Sequence, residues 1–410
     1  MNDGIDVKSM HDRGRTPSQW KYVLCIAPMA VFLIVTFFWP VARFLFKSVD
    51  NSDLVSNLPR TVIALADWKH TDGIPGEDVF AALVQDLADA HANGKDGIVA
   101  QKINQRVVGT RYLVIKTARI AAKGGFAKEA LRENVLKRFS KWGNIELWSA
   151  IANDLKPLTE FYLLMSVDLQ KNPDGHYESV PEEQAIFLQV FGRTVWISIV
   201  VTLICIVLAL PVAHAIVAAR PNVARVLITL ILFPLWTSLL VRTIIWMILL
   251  QGNGPINSTL QLLGVINKPL NLIYTRFSLY VAMIQVLLPM MIFSIVAVMR
   301  RIPVNLMKAA LSLGSPWLWA WWRVQLPLIM PGIFTGSAIV FVFALGYYIT
   351  PALIGGPREQ MISSFIAFYT NKTLNWGLAS SLSIQLLFLL VLVWLIMLMS
   401  RFVFLKRTEK

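Results

Sequence analysis

Long stretches of the chain carry no Asp, Glu, Lys or Arg, namely 22–42, 194–219, 277–299 and 373–400. About 20 apolar residues cross the hydrocarbon core of a bilayer as a helix, which satisfies its own backbone hydrogen bonds. Two further apolar stretches are interrupted, one by Arg242 and the other by several Gly and Pro residues. The pattern predicts six transmembrane helices, near residues 22–46, 194–219, 226–250, 277–299, 331–354 and 376–400.

Residues 47–191 form a long polar segment after the first predicted span. In 77–93, acidic residues are followed by apolar residues on one helical face, and Gly94 stands where a C-cap belongs. A similar pattern over 127–139 predicts another helix, and the NPDG sequence at 172–175 predicts a turn. The segment is long enough to form a small, mostly helical domain with its own core.

These patterns together predict an all-α membrane protein with a large insertion after its first span. The basic start of the chain also fits a signal peptide, but the first apolar run is longer than the 7–15 residues of a signal core. We therefore favour an uncleaved helix. The predicted parts are an N-terminal segment 1–21, a helix 22–46, an insertion 47–191, a five-helix core 192–404 with a loop at 300–331, and a tail 405–410.

Positive charge predicts the orientation of these helices. The segments that would face the cytoplasm hold 14 Lys and Arg residues, whereas the short loops on the other side hold 4. The positive-inside rule then places both termini in the cytoplasm, and the insertion follows the first helix to the periplasm. The net charge of +14 is accounted for by this asymmetry, so it does not indicate nucleic-acid binding.

The chemistry that is missing excludes several function classes. No Asp or Glu occurs from 184 to 358, and His214 is the single titrating base of the helical core. Paired carboxylates, a Ser-His-Asp triad and a carboxylate metal site are therefore impossible there. No phosphate-binding GxxxxGK[ST] loop occurs, so any ATP must bind to another chain. Cys25 and Cys205 lie in predicted spans and make neither a disulfide framework nor a zinc site.

The loop between the fourth and fifth predicted spans contains the most informative motif. It reads KAALSLG at 308–314 and VQLP at 324–327, with nine residues between them. Ala309 and Ala310 would allow a helix to approach a partner closely, and Gly314 would end that helix. Trp317, Trp319, Trp321 and Trp322 follow, which are typical of a membrane interface. An interfacial amphipathic helix is therefore an alternative interpretation.

The spacing of this loop resembles the cytoplasmic coupling loop of ABC importer permeases. That loop has Glu-Ala-Ala, then Gly four residues after the second Ala, then a hydrophobic residue two positions before Leu-Pro. The residues that match are Ala309, Ala310, Gly314, Val324, Leu326 and Pro327. Lys308 departs from the pattern, because the family usually has Glu there.

Further stretches are similar to the spermidine/putrescine branch of these permeases. They are FPLWTSLLVRTIIW at 233–246 and LPLIMPGI at 326–333. Residues 111–119 and 181–196 resemble members with a large insertion after the first helix. The resemblance implies a bacterial inner-membrane permease that is not an enzyme and binds no cofactor. A second permease subunit, a cytoplasmic ATPase dimer that binds ATP and Mg, and a periplasmic binding protein would be its partners.

Two other function classes are weighed against the importer. A membrane-anchored sensor or adhesion module would use 47–191 as its ligand domain, but six spans exceed the needs of an anchor. A secondary transporter usually needs buried acids for its ion relay, and the core lacks them. Both remain alternatives.

Residues in the predicted spans that could line a pathway are Trp236, Arg242, Gln285 and Tyr347. An intramembrane charge such as Arg242 is a functional candidate by default. The alternatives are that it binds backbone carbonyls or extends to the membrane surface, and packing is the alternative for the other three. A pathway for a polyamine cation would be expected to offer carboxylates. Either a partner permease supplies them, or the solute is not a polyamine.

Overall fold

The computed structural model describes residues 19–127, 129–172, 175–182, 185–303 and 305–408. Most of the predicted N-terminal segment (1–18), two residues of the predicted NPDG turn (173–174) and the end of the predicted tail (409–410) lie outside the described residues. Within the described ranges, six helices are long and apolar enough to cross a membrane: Ile26–Phe46, Phe187–Ala218, Leu239–Leu262, Arg276–Met299, Trp317–Gly346 and Trp376–Ile396. The predicted fold class, an all-α membrane protein with six spans, is confirmed.

The first helix, α1, consists of Gln19–Leu33, a π turn Ile34–Phe38 and Trp39–Phe46. The insertion that follows is mostly helical, as expected. Its helices are α2 (Ser52–Asn57), α3 (Pro59–Ala64), α4 (Glu77–Ala92), α5 (Asp96–Arg106), α6 (Arg111–Ala122), α7 (Leu131–Arg138), α8 (Ile145–Ala152) and α9 (Phe161–Ser166). The short 3₁₀ turns are His70–Asp72 and Ser140–Gly143. An antiparallel pair of strands, β1 (Leu169–Lys171) and β2 (Tyr177–Ser179), completes it.

Two helices of the insertion test the local patterns directly. The helix α4 matches the prediction over 77–93, and Gly94 ends it with a φ of +67°. The prediction over 127–139 is too long at its start, because Ala130 adopts a left-handed φ of 54° and α7 begins only at Leu131. A non-glycine residue in that conformation ends helical hydrogen bonding locally.

The insertion divides at a narrow neck that the sequence does not reveal. The Asn51 N–H donates to the Pro157 carbonyl at 2.9 Å, and the Thr159 N–H donates to the Val49 carbonyl at 2.8 Å. Residues 52–156, which we call the lobe, have their own apolar core around Phe80, Trp142 and Trp148. Residues 158–186, which we call the collar, connect the neck to the membrane helices.

The remaining helices form the membrane bundle. They are α10 (Phe187–Ala218), α11 (Pro221–Leu232, extended by the 3₁₀ turn Phe233–Trp236), α12 (Leu239–Leu250), α13 (Pro255–Leu262), α14 (Arg276–Met299), α15 (Asn305–Ser312), α16 (Trp317–Gly346, with a π turn Trp321–Gln325), α17 (Ile349–Ile354), α18 (Ile362–Asn371) and α19 (Trp376–Thr408). A 3₁₀ turn, Pro357–Glu359, precedes α18.

The core of the bundle consists of α10, α14 and α16, which pack against one another. Small residues permit the close approach of α16 to α14, as is common between membrane helices. A Cβ atom at Gly336 would lie 2.6 Å from the Met291 sulfur, and one at Gly332 would lie 3.0 Å from the Ser294 carbonyl oxygen. The bundle is therefore tightest along these helices.

The second span begins earlier than predicted, at Phe187 instead of 194. The Asp168 carboxylate accepts the backbone N–H groups of Phe187 and Leu188 at 3.0 and 2.8 Å. A carboxylate at a helix N-terminus satisfies unpaired donors and complements the helix dipole. This cap comes from 19 residues upstream, so the periodicity of the helix itself could not predict it.

The third predicted span is wrong as a single helix over 226–250. The chain leaves the helix in the 3₁₀ turn that contains Pro234, and Thr237 and Ser238 are extended before α12 begins. Proline lacks the N–H that a continuing helix requires. The candidate span is therefore Leu239–Leu262, and Pro221–Trp236 is a separate, shorter apolar helix.

The fifth predicted span, 331–354, is also wrong in position, because α16 starts at Trp317 and ends at Gly346. The loop predicted at 300–331 is correspondingly shorter. Pro327 is tolerated because it follows the π turn, where the regular helical hydrogen bonds are already rearranged. At the other end, Tyr347 and Tyr348 leave the helical conformation before α17.

Candidate coupling surface and translocation pathway

The helix α15 presents the first half of the motif at the surface. Lys308 and Ala309 are exposed, and Ala310 is half-buried. No acidic side chain forms an ion pair with Lys308 among the described residues. The two alanines leave the backbone of this helix accessible, so a groove on another protein could receive it.

Gly314 ends α15 as the sequence predicts. It adopts a φ of +84°, and the Ser315 N–H donates to the Ala310 carbonyl at 3.2 Å. This arrangement satisfies carbonyl groups that the helix end would otherwise leave unpaired. A side chain would meet no neighbouring atom there, so the requirement for glycine comes from the backbone conformation alone.

The second half of the motif lies where α16 meets the bundle. Val324 belongs to the π turn and Leu326 packs against the core, whereas Pro327 is exposed. A cavity of about 200 Å³ separates this turn from α15, and its polar lining consists of His214 and Gln325. Their side chains lie 3.4 Å apart. Because α15 contacts the π turn, its movement would reach α16 first and then α10 through Gln325 and His214.

The four tryptophans after α15 are consistent with a membrane interface. Trp317, Trp319 and Trp322 are exposed, and the Arg323 guanidinium lies 4.7 Å from the centre of the Trp319 ring. Exposed indole rings next to a cation suit the boundary between lipid and water. The interfacial interpretation of this segment is compatible with docking of α15, because the tryptophans follow that helix.

Two of the candidate pathway residues are not brought together with the others. Trp236 is 78% exposed at the break before α12. Gln285 of α14 accepts a hydrogen bond from the Trp246 indole N–H at 2.7 Å. Trp246 was not predicted, although it lies one helical turn after Arg242 on the same helix.

Arg242 and Tyr347 do come together, at the point where α12 begins and α16 ends. Arg242 is only 9% exposed, and its guanidinium acts electrostatically on the Tyr347 hydroxyl. Sequence reasoning missed the neighbouring hydroxyl groups of Thr243 and Thr350, whose oxygens are 3.3 Å apart. Their positions in apolar spans gave a weak signal, because a Thr in a helix commonly bonds its own backbone.

The insertion is attached to the last helix through its collar and its lobe. Tyr162 packs so closely on Gly377 that a Cβ there would lie 2.5 Å from the ring. The Gln385 side chain donates to the Ser166 carbonyl at 2.7 Å, and the Gln101 side chain donates to the Leu374 carbonyl at 3.0 Å. The collar thus contacts α19 itself, and the lobe contacts the turn just before it.

Hydrogen bonds also hold the neck at the end of α1. Burial of the Asp50 carboxylate acts to raise its pKa, but hydrogen bonds from Lys47 and from the Ser52 side chain and backbone outweigh burial and lower the pKa to about 2. The same contact, a hydrogen bond to Asp50, raises the pKa of Lys47. The neck is thus anchored by an ion pair at 2.6 Å.

About half of this chain is similar in sequence to transport permeases of named systems. No protein-family model matches it. It is 28% identical over 212 residues to the spermidine/putrescine transport system permease protein PotB of Haemophilus influenzae, a match that covers 51% of this chain and 74% of that protein. PotB of Escherichia coli K12 is 28% identical over 211 residues, which cover 52% of this chain and 77% of PotB. The molybdenum transport system permease protein ModB of Mycobacterium bovis is 27% identical over 193 residues, which cover 47% and 71%.

Among solved structures, the chain is similar to a bacterial ABC transporter involved in the import of the acidic polysaccharide alginate. The TM-score is 0.42 at 19% identity, over 55% of this chain and 80% of that one. A second structure, of a bacterial alginate ABC transporter with a periplasmic protein bound to alginate pentasaccharide, gives a TM-score of 0.43 at 18% identity, over 52% and 76%.

Proposed function

The chain is a permease subunit of an ATP-binding-cassette (ABC) importer of the polyamine-type family, and on that premise we propose that it forms part of the pathway for a small solute delivered by a periplasmic binding protein. The observation that carries the proposal is α15, whose alanines are exposed at a helix end closed by Gly314. A separate ATPase dimer, which binds ATP and Mg, would receive this helix. A second permease subunit would complete the pore.

The chain is a multi-pass inner-membrane protein, and we propose that both termini are cytoplasmic. The helix α10 supports this arrangement, because Asp168 of the collar caps its first turn and His214 near its other end contacts Gln325. These ends are separated by roughly 40 Å at 1.5 Å per residue, enough to cross a bilayer. The insertion and α15 would thus lie on opposite sides.

The proposed mechanism is a helical bundle with two states. Closure of the ATPase dimer would move α15, which contacts the π turn of α16. The contact between Gln325 of that turn and His214 would then carry the movement to α10. A ligand shifts such an equilibrium only by binding the two states differently. ATP on the partner subunits and the loaded binding protein would supply that difference from opposite sides.

The lobe would help to dock the binding protein. Its support is the hydrogen bond from Gln101 to the Leu374 carbonyl just before α19, together with its proposed placement on the side where solute arrives. Replacing residues 52–156 by a short Gly-Ser linker tests this, since the neck brings residues 51 and 157 within hydrogen-bonding distance at 2.9 Å. Uptake should be lost while the chain still assembles with its ATPase. Normal uptake would reduce the lobe to a spacer.

The transported solute is proposed to be a polyamine or a related compound. The relatives named for spermidine and putrescine support an amine. The absence of Asp and Glu between 184 and 358 weighs against a bare polycation, unless the second permease subunit supplies the carboxylates.

Cross-linking tests the ATPase contact and the orientation together. In a chain whose native cysteines are replaced, Ala309→Cys should cross-link to the ATPase, whereas Val108→Cys on the lobe should not. Val108 is 89% exposed and should instead react with an impermeant maleimide added from the periplasm. Uptake that continues without ATP would favour a secondary transporter. Cross-linking from neither position, with no ATPase in the purified complex, would leave the sensor or adhesion alternative.

A further inference from the structure

Arg242 is a buried charge whose hydrogen-bonding capacity the chain does not satisfy. It lies in the first turn of α12, and its Nε and Nη1 atoms are buried without a hydrogen-bond partner. A guanidinium in a protein stays protonated, and a buried charge without a partner is costly. The structure excludes extension to the membrane surface, because the side chain is buried.

Donors other than Arg242 satisfy carbonyl groups at the neighbouring helix break. A break inside a membrane helix frees carbonyl groups that other donors must satisfy. Here the Ser363 side chain donates to the Tyr347 carbonyl. The Gln360 side chain donates to the Pro351 carbonyl at 3.0 Å, and the Ser278 side chain donates to the Ile354 carbonyl at 3.2 Å. These three carbonyls are therefore satisfied without the arginine.

No carboxylate of the bundle is free to pair with Arg242. The sequence has none between 184 and 358, and Glu359 is held by Arg276 at 2.8 and 3.2 Å. Among the described residues, a negative partner for this guanidinium must therefore come from outside the bundle of this chain. The Tyr347 hydroxyl lies close enough to this guanidinium to interact with it electrostatically.

We propose that Arg242 binds an oxyanion of the transported solute, a carboxylate or a phosphonate, so that the importer takes a small organic acid or zwitterion. This inference rests on the proposed transport function, and within it an acidic or zwitterionic compound takes the place of a bare polyamine as the solute. A guanidinium presents two parallel N–H donors that match an oxyanion. The Tyr347 hydroxyl lies beside it and is hydrogen-bonded to Thr350, whose hydroxyl oxygen is 3.3 Å from that of Thr243.

The start of α12 adds to the positive potential of this site. Ser238 makes no side-chain cap there, so N–H groups of the first turn remain available. The positive end of a helix dipole favours an anion, and discontinuous helices that point such ends at anionic solutes are a known design in transporters. The unpaired Arg242 is the independent observation that this helix end serves a ligand.

The site is closed in this conformation, and the adjacent break provides a way to open it. Tyr347 (ψ 124°) and Tyr348 (φ −126°) interrupt the helices on either side. A few residues at the end of an element can absorb the dihedral changes of a hinge. A movement of α17 about these residues would uncover the guanidinium to the pathway.

The test uses the purified complex of this chain with its ATPase, and three probes. Putrescine and 4-aminobutyrate have similar length, but one has an amine where the other has a carboxylate, and acetate presents the carboxylate alone. We expect 4-aminobutyrate and acetate to raise the melting temperature and putrescine to leave it unchanged. Arg242→Gln should abolish the effect, and Arg242→Lys, which loses the paired donors, should require at least ~10-fold more anion.

Arg225→Gln is the matched control, because it removes an exposed arginine whose guanidinium bonds only Asn222. It should leave the anion effect unchanged, and Tyr347→Phe should weaken it.

If putrescine alone stabilises the complex, or if Arg225→Gln also removes the effect, the proposal is wrong. If Arg242→Gln separates the two permease subunits and anions have no effect, a carboxylate of the partner subunit is the true counterion. A complex without ATPase would contradict the proposed function, whereas an intact complex without an anion effect would overturn only the oxyanion site.

Discussion

Two buried arginines show how differently the insertion and the membrane bundle treat charge. In the lobe, Arg106 donates to the Asp154 carboxylate, to the Asn51 side chain at 2.9 Å and to the Lys102 carbonyl at 2.7 Å. In the bundle, Arg242 has neither an acidic partner nor a hydrogen bond to Nε or Nη1. The first arginine fixes a fold, whereas the second leaves binding capacity for another molecule.

The same contrast extends to the end of the bundle. Lys308 is exposed and has no acidic partner among the described residues, whereas Lys47 beside the lobe is paired with Asp50. The insertion pairs several of its charges with its own carboxylates, whereas Arg242 and Lys308 of the bundle have no acidic partner among the described residues. Substitutions in the insertion should therefore change stability, and those in the bundle should change binding or coupling.

The largest expected effect is that of Arg106→Met. Removing one member of a buried ion pair leaves the other unpaired and costs about 3–5 kcal/mol. Hydrogen exchange in α5 and α8 should accelerate accordingly. Arg242→Met is the matched control, because it removes an unpaired charge, and exchange in α12 should not accelerate. Equal loss of protection in both variants would contradict the distinction between a paired Arg106 and an unpaired Arg242.

Gly314→Leu should have the second-largest effect. A residue other than Gly in the left-handed backbone conformation costs about 1–2 kcal/mol, so the substitution would disrupt the end of α15. We expect solute-stimulated ATP hydrolysis in vesicles to fall about tenfold, equivalent to about 1.4 kcal/mol. Gly264 has a similar φ of +65° and equally open surroundings, but it lies at the opposite end of the bundle. Gly264→Leu should preserve coupling, and an equal loss in both variants would remove α15 from the mechanism.

Lys308→Glu should have a smaller effect on coupling. An exposed charge at the rim of an interface contributes up to about 1 kcal/mol, so we expect a change of about two- to threefold. The change should diminish at high salt, because ions screen exposed charges. Lys268→Glu, exposed at the other end, should change nothing. A silent Lys308→Glu would place this side chain in solvent.

The smallest expected effect is the pH response of the neck. Because the folded-state pKa of Asp50 is lowered from 3.8 to about 2, its contribution to stability is fully present above pH 3.8. It is lost as the pH falls from 3.8 towards 2. Asp50→Asn should therefore reduce the acid-induced fall in melting temperature across this interval. An unchanged acid profile would show that the neck does not depend on this carboxylate.

Local sequence patterns correctly predicted the features that depend on adjacent residues, namely helix ends and apolar spans. Gly94 and Gly314 end helices where their neighbours indicate, and the apolar runs give six spans. The breaks in two of those spans were missed, although Pro234 lies in one of them. Hydropathy averages over a span and is insensitive to a short interruption, so the positions of α12 and α16 followed only from the structure.

The candidate site could be predicted only in part for the same reason. The sequence identified Arg242 and Tyr347, but it left open whether the arginine bonds a carbonyl, reaches the surface or binds a ligand. In the structure the Nε and Nη1 atoms of Arg242 have no partner, and Ser363, Gln360 and Ser278 take three nearby carbonyls. They lie far along the chain, and no local pattern predicts which acceptors they occupy.

The sequence by itself determined that this chain spans a membrane, carries a helical insertion, has no acid in most of its core and contains a loop that resembles the coupling loop of ABC importer permeases. Those properties follow from composition and from neighbours within a few turns. The tertiary structure decided the neck at Asn51 and Pro157, the attachment of the insertion to α19, and the isolation of Arg242. Whether a buried group is paired depends on which distant segments pack beside it, and only the packed fold determines that.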